Sequence, residues 1–282
     1  MNNERKGRTM RLGYCSITWG GVVGHPTGVT SVKDLFYLTH GDMRRAIEDI
    51  GAAGYEGVEM FDGNLVEFAD RPDELTRHLS DAGLELVSVY SGANFVYPDI
   101  LPDELDRISR SADLAARFGA GRLVIGGGAR RAAGTTDEDY ARLADALDQV
   151  ADIAESRGLT ASYHPHLSTI VESPDELDRL LPNTRIGFCP DVAHLAAGGG
   201  DPAAIIRAYG DRINHVHLKD LTRASLAFQP LGGGELDLAG IVAALRETGY
   251  DDWLMVELDD FDGDPKHAAE QSMQALSGLL AA

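Results

Sequence analysis

The segment "SYHPHLSTIVES", residues 162–173, sets two histidines either side of a proline at the end of a β-like run. Successive side chains of a strand point to opposite faces, so Ser162, His164 and His166 share one face and Tyr163 and Pro165 take the other. Paired imidazoles running into a Ser/Thr loop are equipped to hold a cation or to move protons near neutral pH. Three later runs also end in polar residues: "CPDVAH", "NHVHLKD" and "VELDD". The inward frame of these runs selects Asp191, then His215 and His217, then Glu257. A carboxylate, an imidazole and a second carboxylate from three successive strands can converge on one divalent cation through oxygen and nitrogen, which suits Mn²⁺, Co²⁺, Zn²⁺ or Mg²⁺. Lys219 lies two residues beyond His217 on the same face, where an ammonium can bind an enolate oxygen or a leaving hydroxyl. Trp19 and Glu59, ending the first two runs, offer an aromatic platform and an acceptor for a substrate hydroxyl; a packing role suits each equally.

The elements that must carry these residues alternate along the chain. Strand-like runs are "LGYCSI", "GVEMF", "LELVSVY", "RLVIG", "LTASYH", "RIGFCP", "INHVHL" and "WLMVEL". Amphipathic stretches such as "RPDELTRHLSDAG" and "SPDELDRLL" separate them. Each opens on a proline and acidic residues, which favour a helix N-terminus. Several helices end in glycine just before the next strand, as in "DAGLELVS" and "SRGLTASY". Eight such units predict a closed (β/α)₈ barrel of one domain over residues 11–282, behind a flexible leader at residues 1–10. A doubly wound open sheet competes with it, but "GYCSITWGG" makes a poor phosphate-binding turn. Two connections, Gly20 to Gly41 and Leu218 to Asp237, are long enough to serve as mouth loops. "GGGARRAAG", after the fourth strand, lacks the lysine and hydroxyl of a phosphate loop and reads as another mouth loop.

Composition narrows the function. Lys and Arg number 25 against 45 Asp and Glu, a net charge of −20 over 282 residues. Such a surface disfavours nucleic acid and anionic membrane as partners. Cys15 and Cys189, the two cysteines, imply no disulfide framework and fit a reducing cytoplasm. "MNNERKGRTM" is followed by no apolar stretch that could serve as a signal peptide.

From about Leu12 to Leu280 the chain resembles the xylose-isomerase-like TIM barrels of the sugar phosphate isomerase/epimerase type. The similarity rests on "YHPHLSTIVESPDELDRLL", "DVAHLAAGGGDP", "RINHVHLKD", "PLGGGELDLAGIVAALRETGYDDWLMVE" and, more loosely, "GYCSITWGG". Within that family it is most similar to inosose dehydratase-like members. The resemblance implies a metal held by Glu, Asp, His and Glu at the ends of strands five to eight, with Mn²⁺ or Co²⁺ favoured. Asp191, His217 and Glu257 match the last three. The family's Glu-Asn-His on strand five is here His164-Pro165-His166: either His164 fills the glutamate's place as fourth ligand or three ligands remain plus water, and one carboxylate base is missing in both cases. His166 is then left to transfer protons, with Glu257 and Lys219 as its catalytic companions. His194 matches a substrate-binding histidine, and Arg223 falls where ketose epimerases set an arginine over the substrate.

The implied activity is a metal-dependent lyase acting on a keto-sugar or keto-cyclitol through a stabilised enediolate, by inosose dehydration or elimination from a 3-keto-glycoside. Isomerisation or epimerisation through the same enediolate is the alternative. A non-catalytic barrel subunit is a third reading, and a homo-oligomer or a companion subunit fits any of them. An endonuclease of the same fold would need more ligands and a basic surface.

Overall fold

The computed structural model describes residues 10–19, 22–23, 32–259 and 261–281. The expected leader, apart from Met10, lies outside the described residues, as do 20–21 and 24–31 of the first long connection. The eight barrel strands are β1 (Arg11–Cys15), β2 (Gly57–Phe61), β3 (Glu85–Ala93), β4 (Arg122–Gly127), β5 (Thr160–Tyr163), β6 (Gly187–Phe188), β7 (His217–Leu218) and β8 (Trp253–Val256). They form one sheet of neighbouring parallel strands running from β6 back through β1 to β8 and β7. The gap between β6 and β7 is closed by parallel bridges at Phe188–Ile213 and Asp191–His217. Their backbone bonds are Asn214 N–H to the Phe188 carbonyl, 3.3 Å, and His217 N–H to the Pro190 carbonyl, 3.1 Å. The closed (β/α)₈ barrel expected from the alternation is therefore present, and its last seam sets Asp191 beside His217.

Helices form where the start and stop signals stand. Thr136 and Ser173 each close a capping box, with Asp139 and Glu176 answering from the third helical position. Gly83 ends the Pro72–Ala82 helix at φ 70°, a left-handed conformation that costs an L-residue but not glycine. The main core lies between the barrel and its helices. Inside, Val87, Trp253 and Met255 form a separate apolar cluster. Gly57 admits them: a Cβ there would come within 2.3 Å of Val87 and 2.8 Å of the Trp253 ring.

The connection after β7 is not loose, because Asp220–Thr222 and Ala227–Gln229 pair as an antiparallel hairpin. Arg130 and Arg131, of the glycine-arginine loop, pair with Glu172 and Glu176 and with Asp139. Both guanidinium groups are thus occupied by carboxylates. No helix among the described residues is long and apolar enough to cross a membrane.

Candidate metal centre and active site

Asp191 caps the Val192–Ala197 helix. Its Oδ1 accepts from the N–H groups of Ala193 at 3.0 Å and His194 at 2.8 Å. This fixes the side chain and leaves Oδ2, without a hydrogen bond, facing inward. His164, just past β5, is fully buried with both ring nitrogens unpartnered; its Nε2 lies 3.5 Å from Asp191 Oδ2 and 3.7 Å from Glu257 Oε2. His217 Nδ1 is 3.1 Å from the same Glu257 oxygen. One ligand atom from each of His164, Asp191, His217 and Glu257 can be chosen so that all lie within 4.8 Å of one another.

Buried polar atoms left without partners are rare, because each forfeits its hydration. Here His164 Nε2 and Asp191 Oδ2, 3.5 Å apart beside Glu257, are two such atoms, a nitrogen and an oxygen donor, the chemistry a divalent transition ion takes. Two carboxylates and two neutral imidazoles would balance its charge. The donor set therefore fits such an ion.

Lys219, also buried, sits beside this set with Nζ 3.2 Å from Asp191 Oδ2 and 2.8 Å from Glu257 Oε2, and it pairs closely with Asp259. Burial alone would lower its pKa, but Asp191, Asp259 and Glu257 outweigh that and hold it well above the ordinary lysine value. Burial pushes the Asp191 and Glu257 carboxyls up. Lys219 and the neighbouring histidines prevail and keep both below the usual carboxylate range. Burial pushes His164 down, but the nearby Asp191 and Glu257 carboxylates outweigh it and hold it raised. His194 goes the other way, lowered by burial and then by the Lys219 ammonium, whose Nζ is 3.2 Å from its Nε2.

His166 is exposed enough to meet a ligand. Its ring stacks on His194 with centroids 3.8 Å apart, and its Nδ1 lies 2.7 Å from the Leu167 carbonyl, to which it donates. Nε2 is then the free nitrogen, 3.9 Å from Asp259 Oδ1. Tyr37, Phe61, Tyr90, His166, Glu257 and Asp259 line a cavity of about 310 Å³ over the cluster. Tyr90 and Phe61 form an aromatic wall with ring centroids 5.0 Å apart. Glycine at 126 leaves room for Tyr90, since a Cβ there would meet its Oη at 1.8 Å.

The family model described as "Xylose isomerase-like TIM barrel" matches residues 47–279. The chain belongs to that family. An inosose dehydratase of Geobacillus kaustophilus (strain HTA426) is 30% identical over 77% of this chain and 80% of its own length. One of Lacticaseibacillus casei is 28% identical over 76% and 80%. Among solved folds, the IOLI protein with a bound zinc atom superposes at TM-score 0.77 with 17% identity, covering 96% of this chain and 98% of its own. These relatives make the chain an enzyme.

Within the family barrel, three expected substrate contacts lie elsewhere. Trp19 is buried in the outer core, its ring edge on Tyr14 and its Nε1–H donating to Asp49 at 3.2 Å, so it forms no platform over the cavity. Glu59 is fully buried beneath His217, facing His215 and Ser88 rather than a substrate. Arg223 is exposed on the hairpin after β7, lining a groove with Arg207 and Asp237. His194 stands beside His166 and Lys219, buried at 2% exposure. Sequence reasoning passed over Asp259, although it follows Glu257 by two residues and so shares its face. Tyr90 was missed although it ends the run "LELVSVY", because an aromatic closing an apolar strand reads as core.

Proposed function

We propose that the enzyme is a divalent-metal-dependent lyase that eliminates a β-substituent from a keto-sugar or keto-cyclitol after removing the proton α to the carbonyl. The inosose dehydratase relatives support the substrate class. The observation that carries the reading is the buried, partly unpartnered set His164, Asp191, His217 and Glu257 beneath a cavity that His166 also lines. A divalent cation held by those four side chains would supply Lewis-acid polarisation of the carbonyl and stabilise the charge that develops as the proton leaves.

The chain's own groups do the rest. With Nδ1–H held by the Leu167 carbonyl, His166 accepts the α-proton at Nε2, and Asp259 nearby steadies the imidazolium. Lys219 carries a buried ammonium beside Glu257 and Asp259, a proton source for the departing hydroxyl or alkoxide. The electron pair of the broken C–H bond forms the new C=C bond as the β C–O bond breaks. Water or an alcohol leaves with the proton. Tyr37, Phe61 and Tyr90 shield the reacting centre from bulk water.

One feature favours elimination over epimerisation. Returning a proton to the opposite face calls for a second base, and His164 stands where a carboxylate base would be. Elemental analysis tests the foundation of this reading. The purified protein should carry close to one divalent transition metal per chain, and a strong chelator should abolish turnover of an inosose or a 3-keto-glucoside. Full turnover by metal-stripped protein would end it.

A further inference from the structure

Glu59, on β2, is a charged side chain with no exposure at all, beside the proposed metal ligand His217. The β2–β3 register shifts between Val58 and Glu59, which brings Glu59 opposite Ser88. Ser88 donates its hydroxyl proton to Glu59 Oε2 at 2.6 Å, and His215 Nε2 lies 3.2 Å from the same oxygen. The other oxygen, Oε1, makes no formed hydrogen bond and faces His217 Nε2 at 3.0 Å, a nitrogen that is equally unpartnered. The opposite nitrogen of that ring, Nδ1, faces Glu257.

A ligand imidazole offers a lone pair from one nitrogen only if its proton sits on the other. The tautomer is set by what accepts that proton, and a carboxylate also raises the ring's donor strength. We infer that Glu59 is a positioning residue for the metal centre: it holds the proton of His217 at Nε2, so that Nδ1 faces the centre as a lone pair, with Ser88 and His215 fixing the carboxylate. The inference rests on the metal-binding reading above. It explains why a carboxylate out of reach of substrate is buried among neutral groups and a ring nitrogen. A second ion held by Glu59, His215 and His217 is the competing account of the same cluster, but Ser88 at hydrogen-bonding distance already holds one of the two carboxylate oxygens.

The test is metal affinity, measured on folded wild type, Glu59→Gln and Ser88→Ala by competition between protein and a chromogenic chelator for Mn²⁺ or Zn²⁺. Glu59→Gln keeps the volume while removing the charge, and affinity should fall roughly 10–100-fold, the usual effect of losing such a partner. Ser88→Ala should weaken binding in the same direction by a smaller factor, and it carries the test alone if Glu59→Gln does not fold. A merely structural role would alter the melting temperature and leave affinity untouched. Unchanged affinity in Glu59→Gln, or in Ser88→Ala where that variant stands alone, overturns the inference. So does wild type binding two ions per chain where Glu59→Gln binds one. Wild type that binds no metal would instead overturn the metal-binding reading itself.

Discussion

At His166 the Leu167 carbonyl selects which ring nitrogen carries the proton, while at His164, two residues earlier, nothing does, and both nitrogens stay unpartnered. That contrast assigns the pair different work. His166→Ala should retain metal but lose α-proton exchange by roughly 10²–10⁴-fold, the usual worth of a general acid–base group. His164→Ala should lower metal occupancy, and His164→Glu should restore it. The check is occupancy by elemental analysis alongside exchange by NMR; metal loss in His166→Ala with retention in His164→Ala would reverse the assignment. Strand alternation turned Asp191 and Glu257 inward but left His164 with His166 and His215 with His217 on one face each; the family resemblance, not the period, set His164 and His217 apart. Alternation did not expose Glu59's depth. The period of two gives the face of a side chain but not how deep it lies, and nothing in the sequence marks the β2–β3 register shift that sets Ser88 opposite Glu59.

At the scale of the element, Asp191 serves a helix and the site together through its two oxygens. Asn caps a helix about as well as Asp, whereas Ala does not. With metal removed, Asp191→Ala should therefore be less stable than Asp191→Asn by about 1 kcal/mol in urea unfolding. Both should bind metal poorly. Equal midpoints for the two variants would show that the cap contributes nothing. The helices with proline, acidic first turns and glycine stops were legible because those signals are local. The Asp62–Glu67 and Val192–Ala197 helices were not: each is only six residues and starts within four residues of a strand end. The ladder of β6 and of β7 is only two residues, shorter than the apolar runs that mark them, since closure there uses single bridges.

At the scale of the whole molecule, the buried charges tie stability to pH. Burial raises the Glu59 and Asp191 carboxyls, but His217 and His215 on the first and Lys219 on the second bring both below their ordinary values of 4.5 and 3.8. A depressed carboxylate stabilises the fold above its ordinary value and loses that contribution as pH falls through its folded one. His217 is raised well above 6.5, because its anionic neighbours, Glu59 and Glu257 among them, outweigh its burial. It stabilises fully below 6.5 and less as pH rises through its folded value. Metal-free protein should thus melt lower as pH climbs above 6.5, and saturating metal should remove that decline, because metal takes the deprotonated imidazole. A flat metal-free profile would contradict this. The net charge of −20 leaves no counterion-release term for nucleic acid, so no salt-sensitive gel shift should appear at physiological ionic strength. The measurement closest to the central claim is deuterium incorporation: metal-loaded enzyme is incubated in D₂O with an inosose or a 3-keto-glucoside, and the carbon α to the carbonyl is followed by NMR. The account predicts α-deuterium exchange or elimination that needs both the metal and His166, and product formed with neither, at the wild-type rate, would contradict it.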